Sequence, residues 1–281
     1  MSYSGNSYGY RPRLLNGRLM IALAIALFSI ISYFMKSSVN PVTGEKQHVS
    51  ISAEQEMALG LQAAPSMARQ YGGESSDPRG RALVEQVGQK IVQNSDASKG
   101  PYQYEFHLLA DPDTINAFAL PGGQVFITEG LFKKLTTPGQ LAGVLGHEVG
   151  HVIGRHGAEQ LEQRKLTQGL TGAAVLASYN PDNPRSAQSA YIATMIGQLV
   201  SLKYGRGDEN EADTFGVRLM SEAGYNPQSM LRVMEILRDS AKGAHPPEFF
   251  STHPDPGNRL EHIQQEIQKK FPSGVPGGLQ E

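Results

Sequence analysis

The chain contains no cysteine among its 281 residues. This absence excludes a disulfide framework, a zinc site built from thiolates and an acceptor for a lipoprotein anchor. Any metal ion must therefore be held by histidine and carboxylate side chains.

The chain also lacks a charge excess of either sign and has no basic run. Its 25 Lys and Arg residues nearly balance 27 Asp and Glu residues, which leaves a net charge of -2. Nucleic acid is therefore not an expected partner. With 39% hydrophobic and 19% charged residues, the composition fits one globular domain with additional segments.

The N-terminal region differs from the rest of the chain. Residues 1–18 contain Arg11, Arg13 and Arg18 but no acidic residue, and residues 19–35 form a run of 17 uncharged residues. Such a helix would rise about 26 Å, near the lower limit for crossing a hydrocarbon core of about 30 Å. We expect an uncleaved transmembrane anchor with a cytoplasmic N-terminus and the remaining chain across the membrane. A cleavable signal peptide and a buried core helix are the alternatives.

The early part of the folded region is predicted to be helical and then to form a small sheet. Ser52 and Gln55 form a capping-box pattern, which predicts the start of a helix. The β-prone stretches "YQYEFHLLA" and "QVFITEG" predict two strands, with "PGG" at 121–123 as a turn between them.

From Thr137 onward the pattern is mainly helical. Thr137, Pro138 and Gln140 predict the start of a helix that continues past His156. Further on, we expect one helix over residues 186–202 and a last helix over residues 256–270, with Asp255 as the cap of the latter.

Two histidines lie four residues apart inside the helix that Thr137 begins. This spacing turns His147 and His151 to the same side, where both imidazoles can reach one zinc ion. Glu148 lies on the same general side and could act as general base for a water molecule at an open zinc position. A pair of ordinary core histidines is the alternative, because chance can also supply this pattern.

A zinc site also needs a third protein ligand. The metzincin pattern would place a histidine at position 157, but that residue is glycine and the histidine is His156. His156 would lie about 140° around a continuous helix from His151. We therefore expect it to contact a metal ligand without binding the metal, or to make a structural contact.

A carboxylate from a later helix is the other known solution for the third ligand. Glu209 and Asp213 are four residues apart and share a helix face, so that one can bind zinc while the other orients a ligand histidine. Glu211 points about 200° away from Glu209. A solvated acidic helix start is the alternative for this cluster.

Together these motifs make the chain similar to a family of membrane and envelope gluzincins that includes HtpX, the CAAX prenyl protease and the mitochondrial inner-membrane stress peptidase. The resemblance is greatest to the short, single-anchor bacterial branch of the last type. The matching stretches are "NPVTGEKQ" at 40–47, "NAFALPGGQVFITEGLF" at 116–132, "GHEVGHVIGRH" at 146–156, "ENEADTFGVRLMSEAGYNP" at 209–227 and "STHPDPGNRL" at 251–260.

The resemblance implies a role for each residue that matches the family's motifs. It implies that His147, His151 and Glu209 bind one Zn²⁺ and that Glu148 is the catalytic acid and base. It also implies that Asp213 does not bind the metal but forms a hydrogen bond with one of its ligands. His253 matches the family's His-Pro motif, which implies that it either stabilises the oxyanion or occupies the open zinc position in a resting state, with a plain turn histidine as the alternative.

The resemblance also implies an edge strand that pairs with an extended substrate backbone. An ordinary hairpin is the alternative for this segment. The strand residues are Asn116, Ala117, Phe118 and Ala119.

The predicted fold is α+β and mainly helical, with a small sheet packed on the active-site helix of a zincin-like metallopeptidase domain and one transmembrane helix before it. The oligomeric state is not predicted. The expected segments are a cytoplasmic N-terminus at 1–18, the anchor at 19–35 in the lipid bilayer, a linker at 36–51, the metallopeptidase domain at 52–270 and a disordered tail at 271–281.

The expected function is zinc-dependent hydrolysis of peptide bonds in misfolded or damaged envelope proteins, with polypeptides as substrates. The expected location is the bacterial inner membrane, with the catalytic domain in the periplasm. The alternative is a membrane-tethered, zinc-binding, chaperone-like protein with a latent or inactive site. Glu148 favours the enzyme, since a purely structural zinc site does not need a base.

Overall fold

The computed structural model describes residues 17–178, 204–242, 247–254 and 257–281. The chain divides into two units, one formed by residues 1–35 and 163–200 and the other by residues 36–162 and 201–281. The helix predicted at 186–202 and most of the predicted cytoplasmic segment at 1–18 lie outside the described residues.

The described residues are mainly helical and contain a small sheet, as the sequence predicts, and their strands number five in all. The helices are α1 (Gly17–Met35), α2 (Ala53–Gln70), α3 (Pro78–Gln93), α4 (Glu129–Phe132), α5 (Pro138–Ile153), α6 (His156–Ser178), α7 (Arg206–Glu222), α8 (Gln228–Ala241), α9 (Phe249–Thr252) and α10 (Arg259–Lys270). The strands are β1 (Ser38–Val39), β2 (Lys46–Gln47), β3 (Glu105–Leu109), β4 (Ala117–Leu120) and β5 (Gln124–Thr128).

The first unit contains α1 and the part of α6 from residue 163 onward. Ser29 of α1 lies directly beside Gly169 of α6. Within the described part of the chain, no helix has both the length and the apolar character required to cross a membrane. The helix predicted at residues 19–35 is present as α1 (Gly17–Met35), but it does not meet these requirements.

The segment at 36–51, predicted to be a linker, is part of the second unit. Its strands β1 and β2 pair antiparallel. The side chain of Asn40 donates a hydrogen bond to the carbonyl of Ile153 (2.7 Å), and that of Gln47 donates to the carbonyl of Gly154 (2.5 Å). Because the last carbonyls of a helix have no partner within it, this hairpin closes the C-terminal end of α5.

A three-stranded sheet lies beside α5, with strand order β3-β5-β4. β3 runs parallel to β5, whereas β4 runs antiparallel to β5. The "PGG" turn joins β4 to β5 instead of joining the two strands predicted from β-propensity. β4 lies at one edge of the sheet, where the resemblance implies an edge strand.

The helix α5 forms the centre of the second unit. Its N-cap is Thr137, as predicted, and the Thr137 side chain accepts a hydrogen bond from the backbone N–H of Gln140 (3.2 Å). The Gln140 side chain accepts from the backbone N–H of Thr136 (2.8 Å) instead of that of Thr137, so the capping box is incomplete. Every residue from 139 to 153 is buried, because α3, α7, α8 and β4 pack around the helix. Gly150 allows the close approach of α7, since a Cβ there would lie 2.9 Å from the carbonyl oxygen of Ala212.

The prediction that this helix continues past His156 is wrong. α5 ends at Ile153, and α6 begins at His156 after a bend at Gly154 and Arg155. Arg155 has a φ of 57°, in the left-handed region. Its guanidinium lies within hydrogen-bonding distance of the buried carboxylate of Glu56, from Nε at 2.8 Å. The ion pair fixes a backbone conformation that sequence periodicity does not indicate.

The tail at 271–281, predicted to be disordered, is an ordered irregular segment. The backbone N–H of Gln280 donates to the carbonyl of Gly224, and the backbone N–H of Asn226 donates to the carbonyl of Gln280, both at 2.9 Å. The last helix begins at Arg259 instead of Pro256, and the predicted cap Asp255 lies outside the described residues. The folded part therefore extends beyond the predicted limits of 52 and 270.

Candidate metal centre

Four side chains from three parts of the second unit meet beside α5. His147 and His151 project from α5, Glu209 projects from the first turn of α7, and His253 follows α9. One nitrogen or oxygen atom from each lies within 4.8 Å of all the others. Each of the four residues is at most 2% exposed. The structure thus brings together the three ligands that the resemblance implies and adds His253 to them.

The distances between these atoms suit a single small cation. Nε2 of His147 lies 3.1 Å from Nε2 of His151 and 3.4 Å from Nδ1 of His253. Oε1 of Glu209 lies 3.1 Å from Nδ1 of His253 and 3.5 Å from Nε2 of His151. Tetrahedral zinc with ligand bonds of about 2.0–2.1 Å separates its ligand atoms by about 3.3–3.4 Å. Three imidazoles and one carboxylate are a ligand set that fits zinc.

Glu148 lies beside this group and is fully buried. Among the described residues, neither of its carboxylate oxygens has a hydrogen-bond partner, and Oε1 lies 3.6 Å from Nε2 of His253. Burial raises the pKa of the Glu148 carboxyl. A buried carboxylate without a hydrogen bond is costly for stability, so its position favours a functional role over a structural one.

Asp213 contacts the nitrogen of His147 that is not directed at the candidate metal position. The shared helix face of Glu209 and Asp213 predicts such a contact for one of them, and the resemblance implies it for Asp213. Oδ1 of Asp213 lies 2.9 Å from Nδ1 of His147, which leaves Nε2 of the same ring directed at the other three donors. Burial and the charge of Arg259 oppose protonation of His147, but Asp213 and Glu209 outweigh them and raise its pKa to about 9. Carboxylates that stabilise a proton on this ring would also stabilise a divalent cation at Nε2.

Arg259 connects two buried carboxylates of α7, those of Asp213 and Glu209. Its guanidinium donates hydrogen bonds to Asp213 from Nε (2.8 Å) and from Nη2 (2.6 Å), and Nη1 lies 2.9 Å from Oε2 of Glu209. Burial acts to raise the pKa of Asp213, but the Arg259 charge prevails and lowers it. In the same way, His253 and His147 outweigh burial and hold the pKa of Glu209 well below its usual range. Both carboxylates are therefore ionised and fixed in orientation.

His151 has different neighbours. Its Nδ1 lies 2.8 Å from Nδ1 of His156, and Nε2 of His156 lies 3.3 Å from Oε2 of Glu211. The structure thus places His156 behind a candidate ligand, as the sequence predicts. The ring of Tyr204 stacks on that of His151 with the ring centroids 3.9 Å apart. Burial, followed by the nearby His147 charge, lowers the pKa of His151.

The edge strand β4 lies next to the candidate metal centre. Ala119 and Leu120 from its end line a small cavity together with His151 and Tyr204. The side chain of Asn116 is directed elsewhere, since its Nδ2 donates to Oε1 of Glu248 (3.3 Å). The end of the strand therefore lies near His151, and the side chain of Phe118 is buried.

Sequence reasoning missed two neighbours of the site. Arg259 lies in the stretch "STHPDPGNRL" at 251–260, but nothing in that stretch indicates that its guanidinium would pair with Glu209 and Asp213 on α7. No signal in the sequence indicates that the ring of Tyr204 stacks on His151.

Residues 78–267, more than half of the chain, match the sequence profile described as Peptidase family M48. The chain belongs to peptidase family M48. The match covers all four candidate ligands together with Glu148, Asp213 and Arg259. M48 peptidases are metal-dependent, which agrees with a buried His and Glu cluster that could bind a metal ion.

Curated relatives in this family include bacterial and mitochondrial M48 proteases. The chain is 30% identical over 242 residues to the beta-barrel assembly-enhancing protease of Escherichia coli (strain K12), a match of 84% of this chain and 48% of the relative. It is also 30% identical over 240 residues to the mitochondrial metalloendopeptidase OMA1 of Schizosaccharomyces pombe, a match of 84% of this chain and 68% of that relative. The chain thus spans about half the length of the bacterial relatives that it matches.

Proposed function

We propose that the chain is a zinc-dependent endopeptidase in which His147, His151 and Glu209 hold the metal ion. The observation that carries this proposal is the set of separations of 3.1–3.6 Å between donor atoms of these three buried residues, with the carboxylate of Glu148 beside them and without a hydrogen-bond partner among the described residues. When bound, Zn²⁺ polarises the scissile carbonyl and makes the attacking water more acidic. The chain's own residues then carry out the proton transfers and hold the substrate.

Glu148 is the group that moves the proton. Its carboxylate accepts a proton from the attacking water and later donates it to the leaving amine. Asp213 keeps the proton of His147 on Nδ1, so that Nε2 stays available for the metal ion. The backbone of β4 pairs with an extended peptide, a mode that reads little side-chain sequence.

His253 fills the fourth place in the donor set, which favours a resting-state ligand over an oxyanion donor. In this proposal its Nδ1 leaves that place when water and substrate enter. The same position supports the second candidate function, a zinc-binding, chaperone-like protein whose site stays latent because His253 keeps it closed.

The hydrolysis of an unfolded protein substrate distinguishes the two candidates. The full chain, purified with Zn²⁺, should cleave the unfolded protein, lose this activity when a chelator removes the metal and regain it when Zn²⁺ is returned. A chain that binds Zn²⁺ but leaves the substrate intact, and that suppresses its aggregation instead, would establish the chaperone-like alternative.

We further propose that the substrates are misfolded or damaged envelope proteins and that the catalytic unit works on the periplasmic side of the bacterial inner membrane. Support comes from the name of the Escherichia coli relative, a beta-barrel assembly-enhancing protease, from the three arginines in residues 1–18 and from the apolar side chains that α1 exposes. A reporter that is active only outside the cytoplasm, fused after Glu281, should be active. A silent reporter would contradict the location, and recovery of the chain without membranes would contradict lipid contact through residues 19–35.

A further inference from the structure

The bend between α5 and α6 places a histidine behind the metal centre. On a continuous helix, His156 would point about 140° away from His151. The left-handed conformation of Arg155 redirects the chain, and Nδ1 of His156 lies 2.8 Å from Nδ1 of His151 as a result. His156 is only 1% exposed.

The bend is held by contacts from three other segments. The guanidinium of Arg155 donates to Glu56 (2.8 Å), to the carbonyl of Ile51 (2.8 Å) and to the hydroxyl of Ser38 (3.0 Å). A residue with a Cβ adopts this backbone conformation rarely, so these contacts explain how it persists. The position of His156 is thus fixed by the fold.

The hydrogen bonds behind His151 can run in only one direction when its Nε2 binds a metal ion. The ring must then carry its proton on Nδ1, which donates to Nδ1 of His156. His156 must carry its own proton on Nε2, which lies 3.3 Å from Oε2 of Glu211. One arrangement of protons therefore satisfies all three side chains and directs the lone pair of His151 at the metal.

Gly154 provides the space for the His156 ring. A Cβ at this position would lie 2.4 Å from Nε2 and 2.6 Å from Cε1 of His156. The backbone of Gly154 is helical, with φ −67° and ψ −12°, so alanine is compatible with its conformation. A methyl group at residue 154 would therefore act mainly by displacing the ring.

We infer that His156 is a positioning residue for the metal ligand His151, that Gly154 and Arg155 hold it in place, and that Glu211 completes the hydrogen-bond chain. The inference rests on the proposed metal site. A group that fixes the second nitrogen of a ligand histidine typically contributes a factor of about 10–100 to metal affinity.

The test measures the dissociation constant of Zn²⁺ for the full chain by competition with a chromophoric chelator. We expect H156A to raise this constant about 10–100-fold. G154A should raise it in the unaltered chain but should have no further effect in the H156A background, since no ring remains to be displaced. G207A is the matched control, because a Cβ at Gly207 would meet nothing within 4 Å. It should leave the constant unchanged.

The absorption spectrum of the Co²⁺-substituted chain gives a second readout, one that a purely structural role would not move. The ligand-field bands should shift in H156A and G154A and stay in place in G207A. If H156A does not fold, E211Q provides a second test, because Glu211 is half-buried and accepts the last hydrogen bond of the chain from His156. This variant should weaken Zn²⁺ binding several-fold.

Equal Zn²⁺ dissociation constants for the unaltered chain and H156A would overturn this inference alone. So would a G154A effect that is equally large in both backgrounds. Failure of the unaltered chain to bind Zn²⁺ would instead overturn the proposed function and this inference with it.

Discussion

Arg259 binds the carboxylate of Asp213 through two hydrogen bonds, from Nε at 2.8 Å and from Nη2 at 2.6 Å. Both residues are at most 1% exposed. The same guanidinium reaches Glu209, with Nη1 2.9 Å from Oε2, so one cation lies between two buried anions. This pairing offsets part of the cost of burying both carboxylates against α5.

Replacing Arg259 by methionine should therefore destabilise the metal-free chain. The variant R259M removes the guanidinium that pairs with the buried Asp213 and Glu209, and removing one partner of a buried ion pair typically costs about 3–5 kcal/mol. Urea unfolding of the metal-free chain measures the change in the free energy of unfolding. The exposed pair of Arg232 with Glu235 provides the control, since R232M should change it by about 0–1 kcal/mol. Equal effects of the two variants would contradict the role of Arg259.

The choice of Glu209 as third ligand predicts different metal contents for two neighbouring variants. E209A removes a donor atom. The dialysed variant should contain no bound zinc, because the three remaining histidine donors bind zinc more weakly than the full set of four. E211A should retain zinc with reduced affinity, since Glu211 contacts His156 and not the donor set. Metal analysis after dialysis gives the zinc content of both variants. Loss of zinc in E211A but not in E209A would show that Glu209 is not the third ligand.

Zn²⁺ affinity should depend on pH because the metal ion competes with a proton on His147. Burial and Arg259 act against this proton, but Asp213 and Glu209 raise the pKa of His147 to about 9. Below that pH the metal must displace the proton, so the apparent dissociation constant should fall about tenfold for each unit of rising pH between about 6.5 and 8.5.

The variant D213N tests the cause of this pH dependence. Loss of the Asp213 carboxylate removes a group that stabilises the proton on His147, so the dependence should level off at a lower pH. Competition titrations at several pH values measure the apparent Zn²⁺ dissociation constant of D213N and of the unaltered chain. A dissociation constant that does not change over this range in the unaltered chain would contradict the proposed ligand.

His253 has two proposed roles that its removal distinguishes. As the fourth donor in a resting site, its loss in H253A should weaken Zn²⁺ binding while the turnover of unfolded protein stays the same or rises. As an oxyanion donor, its loss should lower kcat about 10²–10³-fold. Steady-state kinetics at saturating Zn²⁺ decides between them, and the position of Nδ1 3.1 Å from Glu209 favours the first outcome.

The sequence predicts those parts of the site that depend on local helix geometry. The four-residue spacing of His147 and His151 and that of Glu209 and Asp213 fix which side chains share a face, and the structure agrees in both cases. The caps at Ser52 and Thr137 also follow from local hydrogen-bonding patterns and are confirmed.

Features that depend on contacts distant in the sequence could not be predicted in this way. The bend at Arg155 depends on an ion pair with Glu56, 99 residues earlier in the chain. The ordered tail depends on backbone hydrogen bonds with residues 224 and 226. The "PSGVPGGLQE" composition is typical of disorder, but composition does not record such partners.

The central claim is that Glu148 is the base of a zinc peptidase, and one pair of variants tests it most directly. E148Q should keep the zinc content of the unaltered chain, because Glu148 is outside the donor set, and should lose hydrolysis of unfolded protein. The matched control E85Q replaces an exposed glutamate on α3 and should retain both properties. Hydrolysis by zinc-loaded E148Q at the rate of the unaltered chain would contradict the account.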